Sequence, residues 1–454
     1  MTIILTTNAA LPEAAATSAA TGGATPFGRL VGALIASYGG AFITQVVPPS
    51  LLLAIHLTAI TGSGATAAFS LVIGLGGLFA LIANPLGGRL SDRTAARFGR
   101  RRTWILTGGL GGGLGILALI FTTQLWQVIV VWCIVQTLVN FQFAAGAAAV
   151  VDQIPSDKRG STSGAIGFVA AAAPILGMVA VSAASGNLTL QWTIVGVAAS
   201  VGAVVAVFLL RDPQHVSTDG KGSLSARELL GSFWLSPWRH PAFGWAWLVR
   251  FLVTCTFASG TYNAFLLIDR FGFATKDVAP VVLQLTLVSI VPVAVGCFLF
   301  GYLSDRVRRQ KPFVFGGGVA SAAGLLLLAF ATTLPAVFIA TGCIGIGYGM
   351  FLATDFALCL RVLPNADTVG KDFAVLSMAS ALPASFVPFI APLLLNLGGF
   401  TAFYVALAAL GLAGAVAVMR IPEVGQEGDP RFAPITRNPQ LPLSAAPAPI
   451  EGIV

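Results

Sequence analysis

Apolar runs of about 20 residues, the length a helix needs to cross a bilayer, recur along this chain with few charges inside them. They fall near 28–55, 65–87, 103–122, 126–151, 162–186 and 190–211, and again near 241–268, 278–303, 312–331, 335–361, 372–396 and 399–420. No other feature constrains the fold as tightly. Inside a bilayer each backbone N–H and C=O must find a partner within a helix or a closed barrel. Barrel strands read as short alternating segments, not as long unbroken runs. Charge content points the same way: Asp, Glu, Lys and Arg make up only 9% of 454 residues, against about a quarter in soluble proteins. Soluble enzymes, disordered chains and disulfide scaffolds are excluded. The expected class is an all-α polytopic membrane protein with twelve transmembrane helices.

The runs divide the chain. Residues 28–211 are expected to form one six-helix bundle and 241–420 a second, joined by a polar cytoplasmic linker at 212–240. An Ala- and Thr-rich start (1–27) and a Pro-rich tail (421–454) are expected to be disordered and cytoplasmic. The start has neither a basic n-region nor an apolar h-region, so it does not read as a signal peptide. An even number of spans puts both termini on one side. That side collects 22 of the 25 Lys and Arg residues, leaving Arg270 and Lys276 on the other and Arg250 inside a helix. By the positive-inside rule the basic side is cytoplasmic, which places the protein in the inner (cytoplasmic) membrane with both termini inside. The net charge of +8 is then a topology signal, and no nucleic-acid partner is expected. Cys133, Cys255, Cys297, Cys343 and Cys359 all lie in apolar runs without metal or redox spacing, so packing roles are expected and no metal or cofactor. His56 is placed at the outer end of the first helix, wetted.

The two halves echo each other. Gly88–Arg93 (GRLSDR) recurs as Gly301–Arg306 (GYLSDR), each between the second and third run of its half, and Ile154-Pro155 and Leu363-Pro364 close the fourth runs. Such parallel repeats place a substrate site near the midplane between halves that rock. The segment 88–102, GRLSDRTAARFGRRR, resembles the loop 2–3 signature of the major facilitator superfamily. Its R-x-G-R-R run at Arg97–Arg101 is similar to loops of the glycoside–pentoside–hexuronide and sucrose-transporter-like sugar symporters. The resemblance implies the major facilitator fold, two pseudo-symmetric six-helix bundles, and a conformational latch at this loop. Carried over residue by residue, the latch comprises Gly88, Asp92, Arg93, Arg97, Arg100 and Asp152, with Gly301, Asp305 and Arg306 as the second copy, which lacks the R-x-G-R-R run. Read from the residues alone, Gly88 suits close approach of a neighbouring helix and Asp92 the positive end of a facing helix. Arg93, Arg97 and Arg100 are placed to pair with Asp152. The alternative is that these arginines only set topology and meet anionic lipid headgroups.

Two ionisable residues remain at membrane depth. Arg250 sits about 14 Å and Asp355 about 9 Å from the cytoplasmic ends of their helices, at 1.5 Å per residue. A charge there costs roughly 2.5–3.5 kcal/mol on insertion scales and marks a functional candidate. In the superfamily, helices 1, 4, 7 and 10 line the cavity, so the two residues invite a pair. One reading is proton coupling, with burial and the arginine acting in opposite senses on the proton of Asp355. The other is a permanent pair that fixes helices 7 and 10. The sugar symporters carry carboxylates on helices 1, 2 and 4, whereas here helix 4 has only Asp152 at its end, which argues against a sodium site.

Polar and aromatic side chains fall at helical spacing on the same helices: Tyr38, Phe42 and Gln45; Gln136 and Asn140; Thr254 and Asn263; Tyr348, Phe351 and Asp355. Amides and aromatic faces suit a sugar or glycoside, and Tyr38, Gln45, Gln136, Asn140, Asn263 and Tyr348 are the expected substrate contacts. Interhelical packing is the alternative. Trp245 and Trp247 are read as an interfacial belt with Trp234 and Trp238, and 225–238 as an amphipathic cytoplasmic helix. The glycine-rich 108–115 opens an apolar run and reads as close packing, not a phosphate loop. No catalytic constellation is apparent. Expected partners are a small solute, protons and lipid, bound by a monomer. Proton-driven efflux of drugs or metabolites stays open, although Ala173–Met178 (APILGM) lacks two glycines of the efflux signature G-P-x-x-G-G. A sensor or scramblase would need an added domain that neither linker nor tail can hold.

Overall fold

A computed structural model describes residues 25–94, 96, 98–155, 158–212, 241–307, 309–361 and 369–421. The expected disordered termini and the linker, with its amphipathic segment, lie outside the described residues, apart from their edges. Ten continuous helical runs are long and apolar enough to cross a membrane. Two of them are too long to cross once. Phe27–Arg93, at 67 residues, would extend about 100 Å if straight; it turns back at Gly62–Gly64, where Gly62 has a φ of 57°. Val375–Arg420 breaks at Gly398 and Gly399, the latter at φ 63°. Only glycine adopts such angles cheaply. Each is therefore a pair of spans, which brings the described spans to twelve.

The first half comprises α1 (Phe27–Val47, continued by Pro48–Leu52 and Leu53–Thr61), α2 (Ala65–Arg93), α3 (Arg100–Ala118), α4 (Leu125–Gln153), α5 (Arg159–Ala183) and α6 (Leu188–Leu209). The second comprises α7 (Pro241–Phe257, continued by Ala258–Tyr262, Asn263–Phe265 and Leu266–Arg270), α8 (Val278–Val307), α9 (Lys311–Phe330) and α10 (Leu334–Arg361). It ends with α11 (Val369–Ala381 and then 383–397) and α12 (400–417). α1 runs past the expected end at residue 55 because the chain passes Pro48 and Pro49 in a π-turn, where lost i→i−4 donors cost least.

Packing repeats between halves. α3 lies against α4 and α6, and α9 against α10 and α12; α2 lies on α4, and α8 on α10. Glycines bring these pairs to backbone distance: a Cβ on Gly108 would stand 2.5 Å from the Leu138 carbonyl oxygen, and one on Gly317 2.7 Å from that of Gly347. The glycine-rich 108–115 is thus a packing seam. The halves meet through α2 with α11 and α5 with α8, which are equivalent contacts under the repeat.

The two ends of the molecule differ. At the end away from the basic loops, one apolar core runs through both halves, from Leu51, Phe69 and Trp192 to Tyr262, Phe265 and Phe403. At the basic end there are two separate cores, one built on Leu30, Ala145 and Leu210, the other on Phe243, Phe351 and Val418. The halves are sealed together at the far end and packed independently at the basic end.

Candidate functional site

At the basic end of the first half, local structure begins with Gly99. Its φ of 104° stops the loop and starts α3 at Arg100, earlier than the expected residue 103. A Cβ on Gly99 would lie 2.6 Å from that of Asp212, so only glycine fits. Asp212, just beyond α6, accepts hydrogen bonds from the backbone N–H of Arg101 (2.5 Å) and Arg102 (3.0 Å) and so caps α3 from a distant part of the chain. With the helix begun there, Arg101 turns inward and is only 3% exposed. Its guanidinium reaches Asp92 at 2.6 Å, Asp152 at 2.9 Å and the Ser91 hydroxyl at 2.8 Å. Arg100 also reaches Asp152, at 2.9 Å. Asp152 is therefore held by Arg100 and Arg101; Arg101 was missed in the sequence. Arg93 is exposed at the end of α2, and Arg97 lies outside the described residues.

The glycine expectation also shifts by one residue. Gly88 has open space where a Cβ would go, whereas Gly87 lies against Phe141 of α4, whose Cα would be 2.9 Å from an added Cβ. Next to this network, Thr25, Gln153 and Arg211 tie the start of α1 and the ends of α4 and α6 together: the Thr25 hydroxyl donates to the Arg211 carbonyl (2.9 Å) and the Gln153 amide donates to the same oxygen (3.0 Å). In the second copy Gly301 makes only ordinary contact with Ala353. Arg306 is exposed, the Asp305 side chain lies outside the described residues, and Ser304, the equivalent of Ser91, donates to the Arg309 carbonyl at 3.4 Å.

The two intramembrane charges come together. Arg250 Nη1 stands 3.3 Å from Asp355 Oδ2, with the carboxylate side chain 4% and the guanidinium 14% exposed. Cys359, one turn along α10, donates to Asp355 Oδ1 (3.6 Å) and accepts from Arg250 (3.7 Å). Arg250 Nε donates to the Ser380 hydroxyl on α11 at 2.5 Å. The cluster joins α7, α10 and α11. Trp247 is turned inward rather than lying in a belt: its indole N–H donates to the Val375 carbonyl (3.0 Å) and its ring stacks on Phe251. Trp245 faces the Arg420 guanidinium at 5.8 Å, while Trp234 and Trp238 lie outside the described residues. Chemically, a carboxylate so enclosed can exist ionised against Arg250 or protonated beside a cation that has lost its anionic partner, and the second state leaves a buried charge uncompensated.

The expected solute contacts divide into used and unused groups. Tyr38 packs on Phe42 and Phe143 and against Gly146 of α4. Asn140 is buried and gives its amide N–H to the Gln136 carbonyl of its own helix (2.8 Å). The Gln136 side-chain oxygen is buried without a partner among the described residues, and its Cγ lies against Gly76 of α2. Tyr348 stacks on Phe257, centroids 4.0 Å apart and rings 9° from parallel. Gln45 and Asn263 are half-buried. Gln142, not singled out in the sequence, ties α4 to α1 through the Ser37 carbonyl and hydroxyl.

The far-end seal has polar contacts as well. Ser70 donates to Thr66 O (2.8 Å), so the 2.8 Å contact between its oxygen and Tyr262 has the phenol as donor. Phe69 meets Tyr262 and Phe265 edge-on, Thr66 donates to Asp269 (3.2 Å), and Ser185 donates to the Lys276 carbonyl. His56 is buried in the first half beneath this seal, on Thr122 at 2.9 Å and against Trp192, because α1 continues to Thr61. It is not wetted.

The model of the Major Facilitator Superfamily matches residues 29–369 and 283–448. Among solved structures, a point mutant of the nucleoside transporter NupG superposes with a TM-score of 0.67 at 12% identity, over 87% of this chain and 98% of the other. A bacterial homologue of the human lysosomal transporter Spinster, inward-facing and unoccupied, gives 0.62 at 15% identity over 86% and 94%. Its inward-facing, occupied form gives 0.61 at 14% identity over 86% and 94%. These likenesses concern the fold. No curated protein matches the chain in sequence.

Proposed function

The chain belongs to the Major Facilitator Superfamily, and we propose that this multi-pass membrane transporter moves a small hydroxylated solute, a sugar or glycoside, by proton-coupled alternating access. Within the superfamily we place it near the glycoside–pentoside–hexuronide and sucrose-transporter-like symporters. The observation that carries the coupling is the enclosed Arg250–Asp355 pair at 3.3 Å, spanning α7 and α10. A charge pair isolated at that depth is expensive, and the carboxylate is the one acidic group among the described residues at that depth on α7 and α10. The neutral amides and stacked aromatics of α1, α4, α7 and α10 support a neutral, hydroxylated substrate. A nucleoside, the cargo of the nucleoside transporter among the similar structures, is also a hydroxylated solute and falls within the class to be tested.

With the basic end cytoplasmic, as the distribution of Lys and Arg supports, the sealed far end and separate basic-end cores describe an inward-facing state. The Asp92–Arg101–Asp152 network lies wholly in the first half and serves as its half of the latch. Partners on this reading are the solute, protons and lipid, and the monomer is the working unit.

Reconstitution into liposomes with an imposed pH gradient tests the proposal, using a panel of sugars, glycosides, nucleosides and lipophilic cations. A neutral hydroxylated solute should accumulate above equilibrium, and Asp355→Asn should keep solute exchange while losing accumulation. Movement of lipophilic cations with no neutral solute, or accumulation by Asp355→Asn, would refute it.

A further inference from the structure

Arg250 is held from two sides, and only one of them belongs to the ion pair. Its Nη1 edge faces Asp355 and Cys359 on α10, while its Nε donates to Ser380 on α11 at 2.5 Å. On α7 the residues that grip α11 fall at i, i+3 and i+4, one helix face: Trp247 bonds the Val375 carbonyl, Arg250 bonds Ser380, and Phe251 meets Phe386 edge-on at 5.2 Å. α11 is the helix through which the second half meets α2 of the first. Pro383, less than one turn beyond Ser380, has no N–H for the Ala379 carbonyl, so the helix is weakened there. Just past it, Ser385 lies against Gly77 and the Phe389 ring 3.2 Å from where a Gly74 Cβ would stand. Among the described residues the Ser385 hydroxyl is buried with no hydrogen-bond partner, so this seam does not satisfy its own polar group in the present state.

We propose that Ser380 is the positioning residue that couples the Arg250–Asp355 pair to the α2–α11 seam between the halves. This rests on the proton-coupling reading above. While Asp355 is ionised, its charge keeps the guanidinium on α10. When Asp355 takes a proton, Arg250 loses its anionic partner and swings from α10, and its bond to Ser380 carries α11 with it. The weakened turn at Pro383 lets that displacement reach Ser385 and Phe389, where α2 offers glycines and therefore no side chains to block sliding. The titratable and charged groups at this cluster, among the described residues, are Asp355, Arg250 and Cys359, with Tyr348 next along α10 and Cys297 of α8 beyond it.

The test needs no substrate. Hydrogen exchange of the full chain in lipid nanodiscs is followed between pH 5 and 8 in the segment 383–397, corrected for the intrinsic pH dependence of exchange. If one carboxyl drives the change, the opening equilibrium of this segment shifts by up to about tenfold per pH unit in the wild type. Ser380→Ala should flatten that response, and Ser380→Thr, which keeps the hydroxyl, should retain it. Ser380→Cys, close to serine in size but a weak acceptor, should flatten it too and serves if the alanine variant exchanges globally as an unfolded chain. A Ser380→Ala or Ser380→Cys response equal to wild type would overturn the role of Ser380 while leaving proton coupling intact. A flat wild type would overturn the coupling reading and this inference with it.

Discussion

Arg101 and Arg100 both reach Asp152 at 2.9 Å, yet removing them should have unequal consequences. Arg101 is 3% exposed and serves three partners, whereas the Arg100 side chain is 20% exposed and has one ion-pair partner among the described residues. In Arg101→Ala the carboxylates of Asp92 and Asp152, 60% and 29% exposed, take up water, so each lost ion pair is discounted to about 0.5–1 kcal/mol. Ser91 is fully buried, and losing its donor costs about 1 kcal/mol more. The buried alkyl stem of the arginine adds about 1 kcal/mol, for roughly 3–4 kcal/mol in total. Arg100→Ala loses one half-exposed pair, about 0.5 kcal/mol. At roughly 2 °C per kcal/mol for a large domain, the melting midpoints should fall by about 6–8 °C and about 1 °C. The five free cysteines, all buried or half-buried, report unfolding to a thiol-reactive fluorogenic dye without added labels. Arg101→Lys should recover little, because one ammonium cannot span two carboxylates and a hydroxyl in the guanidinium's planar geometry. If Arg100→Ala destabilises as much as Arg101→Ala, or Arg101→Ala melts within a degree of wild type, the buried network does not brace the first half.

Tyr262→Phe removes the donor to Ser70 and should loosen the far-end seal by about 1 kcal/mol, about fivefold in population; a thiol placed at buried Ala65 should react about five times faster with a membrane-impermeant maleimide. Gly99→Ala combines a φ that only glycine accepts with displacement of the Asp212 cap, about 2–4 kcal/mol, whereas Gly160→Ala, with open space at its Cβ, should change the midpoint by less than about 1 °C. Arg250→Met leaves a buried carboxylate alone and should destabilise by about 3 kcal/mol or neutralise Asp355, while Arg250→Met with Asp355→Leu should recover most of that stability. A double variant no more stable than the single one would show that the pair's partners, not its charges, hold α7 to α10.

What the sequence made legible follows from how local each signal is. A span is written in twenty consecutive residues, and the repeat of GRLSDR as GYLSDR is written in six, so twelve helices and their two-fold arrangement could be read directly. The Arg250–Asp355 pair was also readable, since a charge stands out in an apolar run and depth follows from counting. The ion pairs of Asp152 were read only in part, Arg100 being named and Arg101 not, for a different reason. Three consecutive arginines, 100–102, point in three directions about 100° apart once the helix starts, and the start is fixed by Asp212, more than a hundred residues later in the chain. His56 was misplaced because a π-turn across Pro48 and Pro49 carries α1 to Thr61, where a proline pair normally argues for an end. Ser380 gave no signal at all, as one of three serines in α11 gains its meaning only from the arginine opposite.

The same repeat that makes the halves alike leaves their chemistry unequal, and the inequality bears on mechanism. In the first half the charges lie at the basic rim, around Arg101, and its four helix ends and the Asp212 cap are cross-linked there into a rigid base. In the second half the corresponding rim has no R-x-G-R-R run, and the paired charges lie deeper, between α7, α10 and α11. A rocking transporter needs one body against which movement is measured and another whose internal balance can change. Bracing at the rim resists change within the first half, because Arg101 and Asp152 each hold two or more partners. A single arginine shared between α10 and α11 does the opposite, since altering one partner must reposition the other. On the proposed mechanism the first half is therefore the frame and α11 the moving part, and the glycines of α2 facing Ser385 and Phe389 lie where that motion has to be let through.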